Sequence, residues 1–370
     1  MTKRLLYIST LIFFSACTAE DDPIVVPETQ PDVPIYMVPD VERMSAETRA
    51  FSSKDNFQIE TDTIGFYALQ TVETEVNRIE PVAWQTSRKF RFYNNTPYYF
   101  NSDAYCLSTL NGKSTMFPGT NKAALKFFAY YPYNENVAND ATTNAPLIPV
   151  GITGDNSNQT DYLYTIAELT ESQVKAATSD IVLEFKHALC RLKFVVDPGS
   201  NEYTSTFHPT ITKITVITNE TQNGYMSFTS DSLIFKSDGT GLNTFQYIPD
   251  KPYKVYNGTG STLGADFLFL PNADSDVVRQ ILVSGKDEYG NTFTDKSIFN
   301  TTIKADKGKT KMSPGCIYTL KIVYALRITP TPGDGDEGEN SQSIDMWVEP
   351  AESDTDYNKE ITIDKSDSEQ

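Results

Sequence analysis

Apolar and polar residues trade places at period two through much of this chain. Between Ala188 and Val196 the positions Ala188, Cys190, Leu192, Phe194 and Val196 are apolar, with Arg191 and Lys193 on the other face. A second run places Cys316, Tyr318, Leu320, Ile322, Tyr324 and Leu326 on one side. Shorter stretches around Ile211, Ile217, Ile281 and Val283 repeat the habit. Period-two runs rich in β-branched and aromatic residues predict half-buried strands. Turn chemistry separates them, at Pro198-Gly199, Asn223-Gly224, Asp238-Gly239, Gly290-Asn291 and Pro314-Gly315. One stretch, residues 164–177, has the composition of a short helix. The pattern predicts an all-β chain of antiparallel β-sandwiches rather than a parallel α/β sheet.

The alternation stops at both ends, which divides the chain. Residues 1–16 carry Lys3 and Arg4, an apolar run over 5–14 and then Ser15-Ala16 before Cys17. That order predicts a secretory signal peptide, and its apolar run is too short to span a bilayer. Small residues leading into a cysteine resemble a bacterial lipobox, so Cys17 is the expected lipidation site and the outer membrane the expected anchor. Glu20, Asp21 and Asp22 directly behind it resemble the acidic export signal of surface lipoproteins in the Bacteroidetes. Residues 17–49 form a proline-dense lead-in. Residues 50–178 and 179–328 are expected to be two tandem β-sandwich domains. Residues 329–370 begin with a Pro/Gly/Asp/Glu linker that cannot bury a core, followed by strand-like pieces at 344–348 and 361–363.

Charge narrows the partners. The chain is 370 residues long with a net charge of −18, which argues against nucleic acid, since phosphate binding wants a basic surface. Much of that charge is local to the acidic tail after residue 334. Besides Cys17 there are Cys106, Cys190 and Cys316, an odd number that excludes a disulfide framework. Cys190 and Cys316 read as small core residues, with a disulfide between them the alternative. Catalytic chemistry finds little footing. There are two histidines, His187 and His208, and His187 lies inside a predicted strand as a structural histidine. No nucleophile elbow, zinc-protease motif, paired-cysteine metal spacing or phosphate loop occurs. Residues 334–339 have the composition of a calcium loop without its ligand spacing. The reading is of a protein that is no enzyme and needs no cofactor.

Five motifs in series carry a resemblance. They are Asp62-Thr63-Ile64-Gly65-Phe66-Tyr67-Ala68; the aromatic run 125–133 ending in Tyr-Pro-Tyr; Asp161-Tyr162-Leu163 followed by Leu183-Glu184-Phe185-Lys186-His187-Ala188-Leu189; Gly315-Cys316-Ile317-Tyr318; and Ile344-Asp345-Met346-Trp347. In this order, behind a lipobox, they resemble the fimbrillin-like (Mfa-like) family of Bacteroidetes fimbrial lipoproteins. The resemblance implies two transthyretin-like sandwiches, an outer-membrane precursor exposed at the surface, and assembly with other fimbrial subunits into adhesive fimbriae, as stalk or tip.

It also implies a mechanism of proteolytic activation and donor-strand exchange. Residues 34–38 and Val41 would be a plug strand. A processing protease would cut between Arg49 and Ala50, with Arg43 the alternative. Ile344, Met346, Trp347 and Val348 would belong to the donor strand, unless that strand pairs within its own domain. Host or bacterial surfaces would be the adhesion ligands. A second reading, from another class, is a surface glycan-binding lipoprotein of a polysaccharide-uptake system. It would rely on Trp84, Trp347 or the run Tyr98-Tyr99-Phe100 as aromatic platforms.

Overall fold

The alternating run at 188–196 becomes the strand Cys190–Pro198, placed in the interior of a five-stranded sheet. The structure is a computed structural model that describes residues 33–35, 37–40, 63–72, 84, 91–101, 106–109, 115–117, 123–169, 181–198, 209–229, 231–239, 241–254, 261–272, 276–287, 289–300, 312–330, 340–350 and 355–356. In that sheet Cys190–Pro198 lies between Ser261–Phe269, antiparallel, and Cys316–Pro330, parallel. Asn340–Pro350 returns antiparallel along the outer edge, and Thr355–Asp356 pairs with the start of Cys316–Pro330. A second five-stranded sheet runs Thr244–Tyr247, Thr210–Thr218, Val278–Lys286, Thr292–Asn300, with Tyr253–Lys254 also on Thr210–Thr218. The inward residues of the two sheets meet in one core, Leu192, Phe194, Phe267 and Ile322 from the first and Ile214 and Ile281 from the second. The chain is all-β and sandwich-like.

A six-stranded antiparallel sheet is ordered Lys186–His187, Leu163–Leu169, Ala123–Tyr131, Thr63–Val72, Arg91–Asn101, Cys106–Thr109. Its two central strands, Ala123–Tyr131 and Thr63–Val72, read as near-continuous apolar runs rather than alternating ones, because both faces are covered. Tyr67, Leu69, Phe128 and Tyr130 join the main core. Ile64, Phe66, Phe127 and Ala129 pack in a second cluster with Leu183 and Phe185. The register sets Gly65 opposite Tyr130, and a Cβ on Gly65 would lie 2.1 Å from the Tyr130 ring. Glycine in the first motif thus makes room for tyrosine in the second.

A four-stranded sheet, ordered Leu233–Ser237, Asn223–Phe228, Pro146–Gly151, Ala138–Asn139, joins residues from both halves of the chain. Its Ile148, Met226 and Phe228 belong to the same core as Trp84 and Phe128. The sheets are compatible with two sandwiches in tandem.

Two sequence expectations change. The helix expected over 164–177 is replaced, as far as the described residues reach, by the strand Leu163–Leu169. All seven of its residues pair with 125–131, so tertiary pairing overrides a weak local preference. Among the described residues the helical content is one 3₁₀ turn, Asn156–Asn158. The face carrying Arg191 is not polar surface either. Arg191 is 0 % exposed and donates through its guanidinium to Asp266, itself buried. A charge so deep persists only when paired.

Candidate functional site: the lead-in and closing strands

The lead-in takes strand structure at two places, on either side of Tyr36. Val33–Ile35 pairs antiparallel with Thr115–Phe117, Val33 opposite Phe117 and Ile35 opposite Thr115. Met37–Asp40 pairs parallel with Ile181–Glu184, Met37 opposite Ile181 and Asp40 opposite Glu184. The second partner is part of the body's packing, since Leu183 is fully buried against Phe66 and Phe127. Residues 34–35 and 37–38 of the expected plug therefore lie in strands added to the body. Pro34 and Pro39 bring no N–H to these ladders, which suits edge positions. Cys17, Val41, Arg43, Arg49 and Ala50 lie outside the described residues.

The closing strand is seated on its own chain. Asn340–Pro350 pairs with Cys316–Pro330 through eleven residue pairs, from Leu320 opposite Pro350 to Pro330 opposite Asn340. In this register Ile344 stands opposite Leu326, Met346 opposite Tyr324, Trp347 opposite Val323 and Val348 opposite Ile322. Met346 is 7 % exposed and part of the main core. The pairing of Cys316–Pro330 with Cys190–Pro198 ends at Tyr324. Beyond it, residues 325–330 and 340–345 continue as a two-stranded ribbon. The linker expected at 329–340 accordingly gives up its ends to strand. Lead-in and closing strand stand in different sheets.

Three buried side chains, His187, Lys126 and Arg191, brace this frame through acidic partners that period-two reading had no means of finding. His187 Nδ1 lies 2.5 Å from Asp161 Oδ2, both buried, and Asp161 Oδ1 accepts from Tyr162 N at 2.8 Å. The pair ties Lys186–His187, which directly follows the lead-in's partner strand, to the start of Leu163–Leu169. His187 is thus a structural histidine, while His208 lies outside the described residues. Lys126, buried in the six-stranded sheet, reaches Glu168 on the adjacent strand and Asp231 Oδ1 at 2.5 Å in the turn after Asn223–Phe228. Asp231 is far more exposed than its partner, so the bridge lies at the protein's edge on one side. Arg191 and Asp266 are the third case.

The thiols and aromatics are placed as follows. Cys190 and Cys316 carry thiols rather than a disulfide. Burial holds the Cys190 thiol well above the usual thiol range, and its Sγ donates to Phe269 O at 3.3 Å. Trp84 is buried against Phe128 and Phe228, with centroids at 4.8 and 6.4 Å, and Tyr98 is buried against Phe66 at 4.7 Å. Neither is a flat platform open to a sugar. Among the described residues no three or more His, Cys, Asp or Glu side chains are grouped to hold a metal ion. A cleft of about 370 Å³ lies between Glu220, Leu233, Phe235, Leu270 and Asp276. Two carboxylates, Glu220 and Asp276, and the hydroxyls of Thr221 and Ser237 line it beside the apolar residues.

The family profile described as fimbrillin-like matches residues 48–333. Similar solved structures include a fimbrial protein from Bacteroides vulgatus ATCC 8482, 13 % identical, covering 85 % of this chain and 99 % of that one, with a TM-score of 0.49. They also include the fimbrial anchor protein Mfa2 from Porphyromonas gingivalis, 11 % identical, covering 86 % and 99 %, with a TM-score of 0.31. A search of the curated proteins gives no match.

Proposed function

Because the chain belongs to the fimbrillin-like family, we propose that this adhesion-related structural protein serves as a stalk or tip subunit of surface fimbriae, assembled by proteolytic activation and donor-strand exchange. The precursor is exported, lipidated on Cys17 and held on the outer face of the outer membrane. Its body is two transthyretin-like sandwiches, residues 50–178 and 179–328. Filament growth joins it to other fimbrial subunits, and host or bacterial surfaces are its ligands.

The observation that carries this reading is the lead-in seated as strand on Thr115–Phe117 and Ile181–Glu184. A segment added in this way occupies main-chain positions that a neighbour's strand would otherwise take. It also covers edges that would invite aggregation. While covalently attached, the lead-in holds its place by high effective concentration. Cleavage between Arg49 and Ala50, or after Arg43, turns it into a dilute peptide that can leave. The closing strand with Ile344, Met346, Trp347 and Val348 is the donor, and must first give up its home pairing.

The test is the N-terminal residue of subunits recovered from sheared surface filaments, expected to be Ala50. Replacing both Arg49 and Arg43 by alanine should leave an unpolymerised precursor. Filaments of normal length from that double variant would overturn the mechanism.

A further inference from the structure

Three sulfur-bearing residues from two segments, Cys190 on one and Met312 and Cys316 on the other, are brought to one corner of the main core. Gly315, at φ 65°, turns the chain into the strand Cys316–Pro330, and its N–H donates to Leu189 O at 3.0 Å. That bond aligns the start of this strand with the start of Cys190–Pro198. The two run parallel, Arg191 opposite Ile317 and Leu192 opposite Tyr318. One step earlier in the same register Cys316 comes beside Cys190, and by strand alternation both take the face of Leu192 and Tyr318. Met312, held by its N–H on Asn272 O at 2.9 Å, places Sδ 3.6 Å from Cys190 Sγ. Cys190 and Met312 are fully buried, whereas Cys316 is half-buried and opens the corner to solvent.

We propose that Cys190, Cys316 and Met312 form a site for one soft monovalent cation, Cu(I) or Ag(I). Thiolate and thioether together are the ligand set such ions select, and harder divalent ions prefer oxygen or imidazole. Binding displaces the thiol protons, which leave to solvent past Cys316. The arrangement suits a metal better than a disulfide. In-register neighbours on adjacent strands stand about 4.8 Å apart, whereas a disulfide draws its Cβ atoms to about 3.8 Å. A disulfide would also leave the Met312 thioether without a role. A bound ion would clamp the start of Cys316–Pro330 to the sheet, a consequence independent of how the filament assembles.

The full chain, reduced and desalted without oxygen, would be titrated against the coloured Cu(I)–bicinchoninate complex, with Cys17 acylated or replaced by serine. The chain and its Cys106→Ser variant should each withdraw one equivalent, and Ag(I) should raise their melting temperature. Cys316→Ser should lose that equivalent and the Ag(I) shift, and Met312→Leu should hold the ion more weakly. Without metal both variants should melt close to the parent, which separates lost binding from lost folding. The proposal is overturned if the parent chain withdraws no Cu(I), if Cys316→Ser withdraws as much as the parent, or if peptide mapping of the unreduced chain finds Cys190 joined to Cys316.

Discussion

Ending the chain after Ile328 removes the closing strand, and its home pairing sets how much stability goes with it. The best-placed part of that strand is Met346, 7 % exposed in the main core, and burying such a side chain is worth about 1.5–3 kcal/mol. The eleven residue pairs along Cys316–Pro330 contribute less than their number suggests. Each backbone hydrogen bond nets about 1 kcal/mol, while fixing each residue's backbone costs about 1–2 kcal/mol. The ribbon half, residues 340–345, has no partner sheet in the register and is close to break-even, as isolated two-stranded ribbons are. Truncation should therefore cost roughly 2–4 kcal/mol, mostly at the Met346 end. That corresponds to a fall in melting temperature of roughly 5–15 °C for a chain of this size. Met346→Ala in the full chain should account for most of it, about 2–3 kcal/mol. Calorimetry on both variants, with a synthetic 340–350 peptide added in trans, is the assay, and the peptide should restore part of the loss to the truncated chain. A truncated chain that melts with the full one would refute the reasoning, because the strand would then contribute nothing at home. In the proposed assembly, a cost of this size is what a neighbour's groove would have to exceed to draw the strand away.

Other perturbations test the frame around these strands. Gly65→Ala sets a Cβ 2.1 Å from the Tyr130 ring, whose hydroxyl is tied to Asn95 Oδ1 at 2.7 Å and Asn134 O at 3.0 Å; urea unfolding should show a loss of about 1–3 kcal/mol. Asp266→Ala leaves the Arg191 charge buried and should cost about 3–5 kcal/mol by the same assay, whereas Arg191→Met with Asp266→Leu should be near neutral. Burial pushes the Tyr130 phenol well above its ordinary value of 10.0. The folded chain then keeps a proton that the unfolded chain releases, so stability is full below that value and falls as pH rises through it. Tyr130→Phe should flatten this alkaline decline in the urea midpoint.

The sequence alone made the strands at 190–198 and 316–330 legible, because alternation reports a half-buried strand directly. That they run parallel was not legible, since alternation carries no direction. Nor does it say what covers the second face. Arg191 reads as polar surface until Asp266, far along the chain, closes over it. The composition of residues 329–340 marks a chain that cannot build a core, yet its ends are strand because Cys316–Pro330 runs on and pairs with its own return. Gly65 was visible as part of a motif. Its reason, the tyrosine ring opposite, appears only with the register. Of the candidate site, residues 344–348 stood out as a strand-like piece beyond the linker, whereas residues 34–38 were assigned as a plug through the family resemblance. The lead-in's partners, Thr115–Phe117 and Ile181–Glu184, lie far along the chain, and no local pattern names them; the closing strand's partner is the strand just before it.

The proposed plug and donor roles of the lead-in and the closing strand share a physical logic. The lead-in rests on Thr115–Phe117 and Ile181–Glu184, outside the four larger sheets, with Pro34 and Pro39 each withholding a donor from its ladder. The closing strand lies at the outer edge of its sheet, bonded along one side to Cys316–Pro330. Withdrawing an interior strand such as Cys190–Pro198 would break two ladders and strip the core of Leu192 and Phe194. Withdrawing either of these segments breaks pairing on one side and, of the side chains described, uncovers Met346. Strand exchange needs segments whose departure costs a few kcal/mol rather than the whole fold, about 5–15 kcal/mol for a domain. The closing strand, at the cost worked out above, meets that condition, and in the proposed mechanism the different roles of the two segments follow from their tethers. Under the proposed mechanism, cutting at Arg49 frees the lead-in, while the ribbon of residues 325–330 and 340–345 would keep the closing strand attached to its subunit as it pairs with the next.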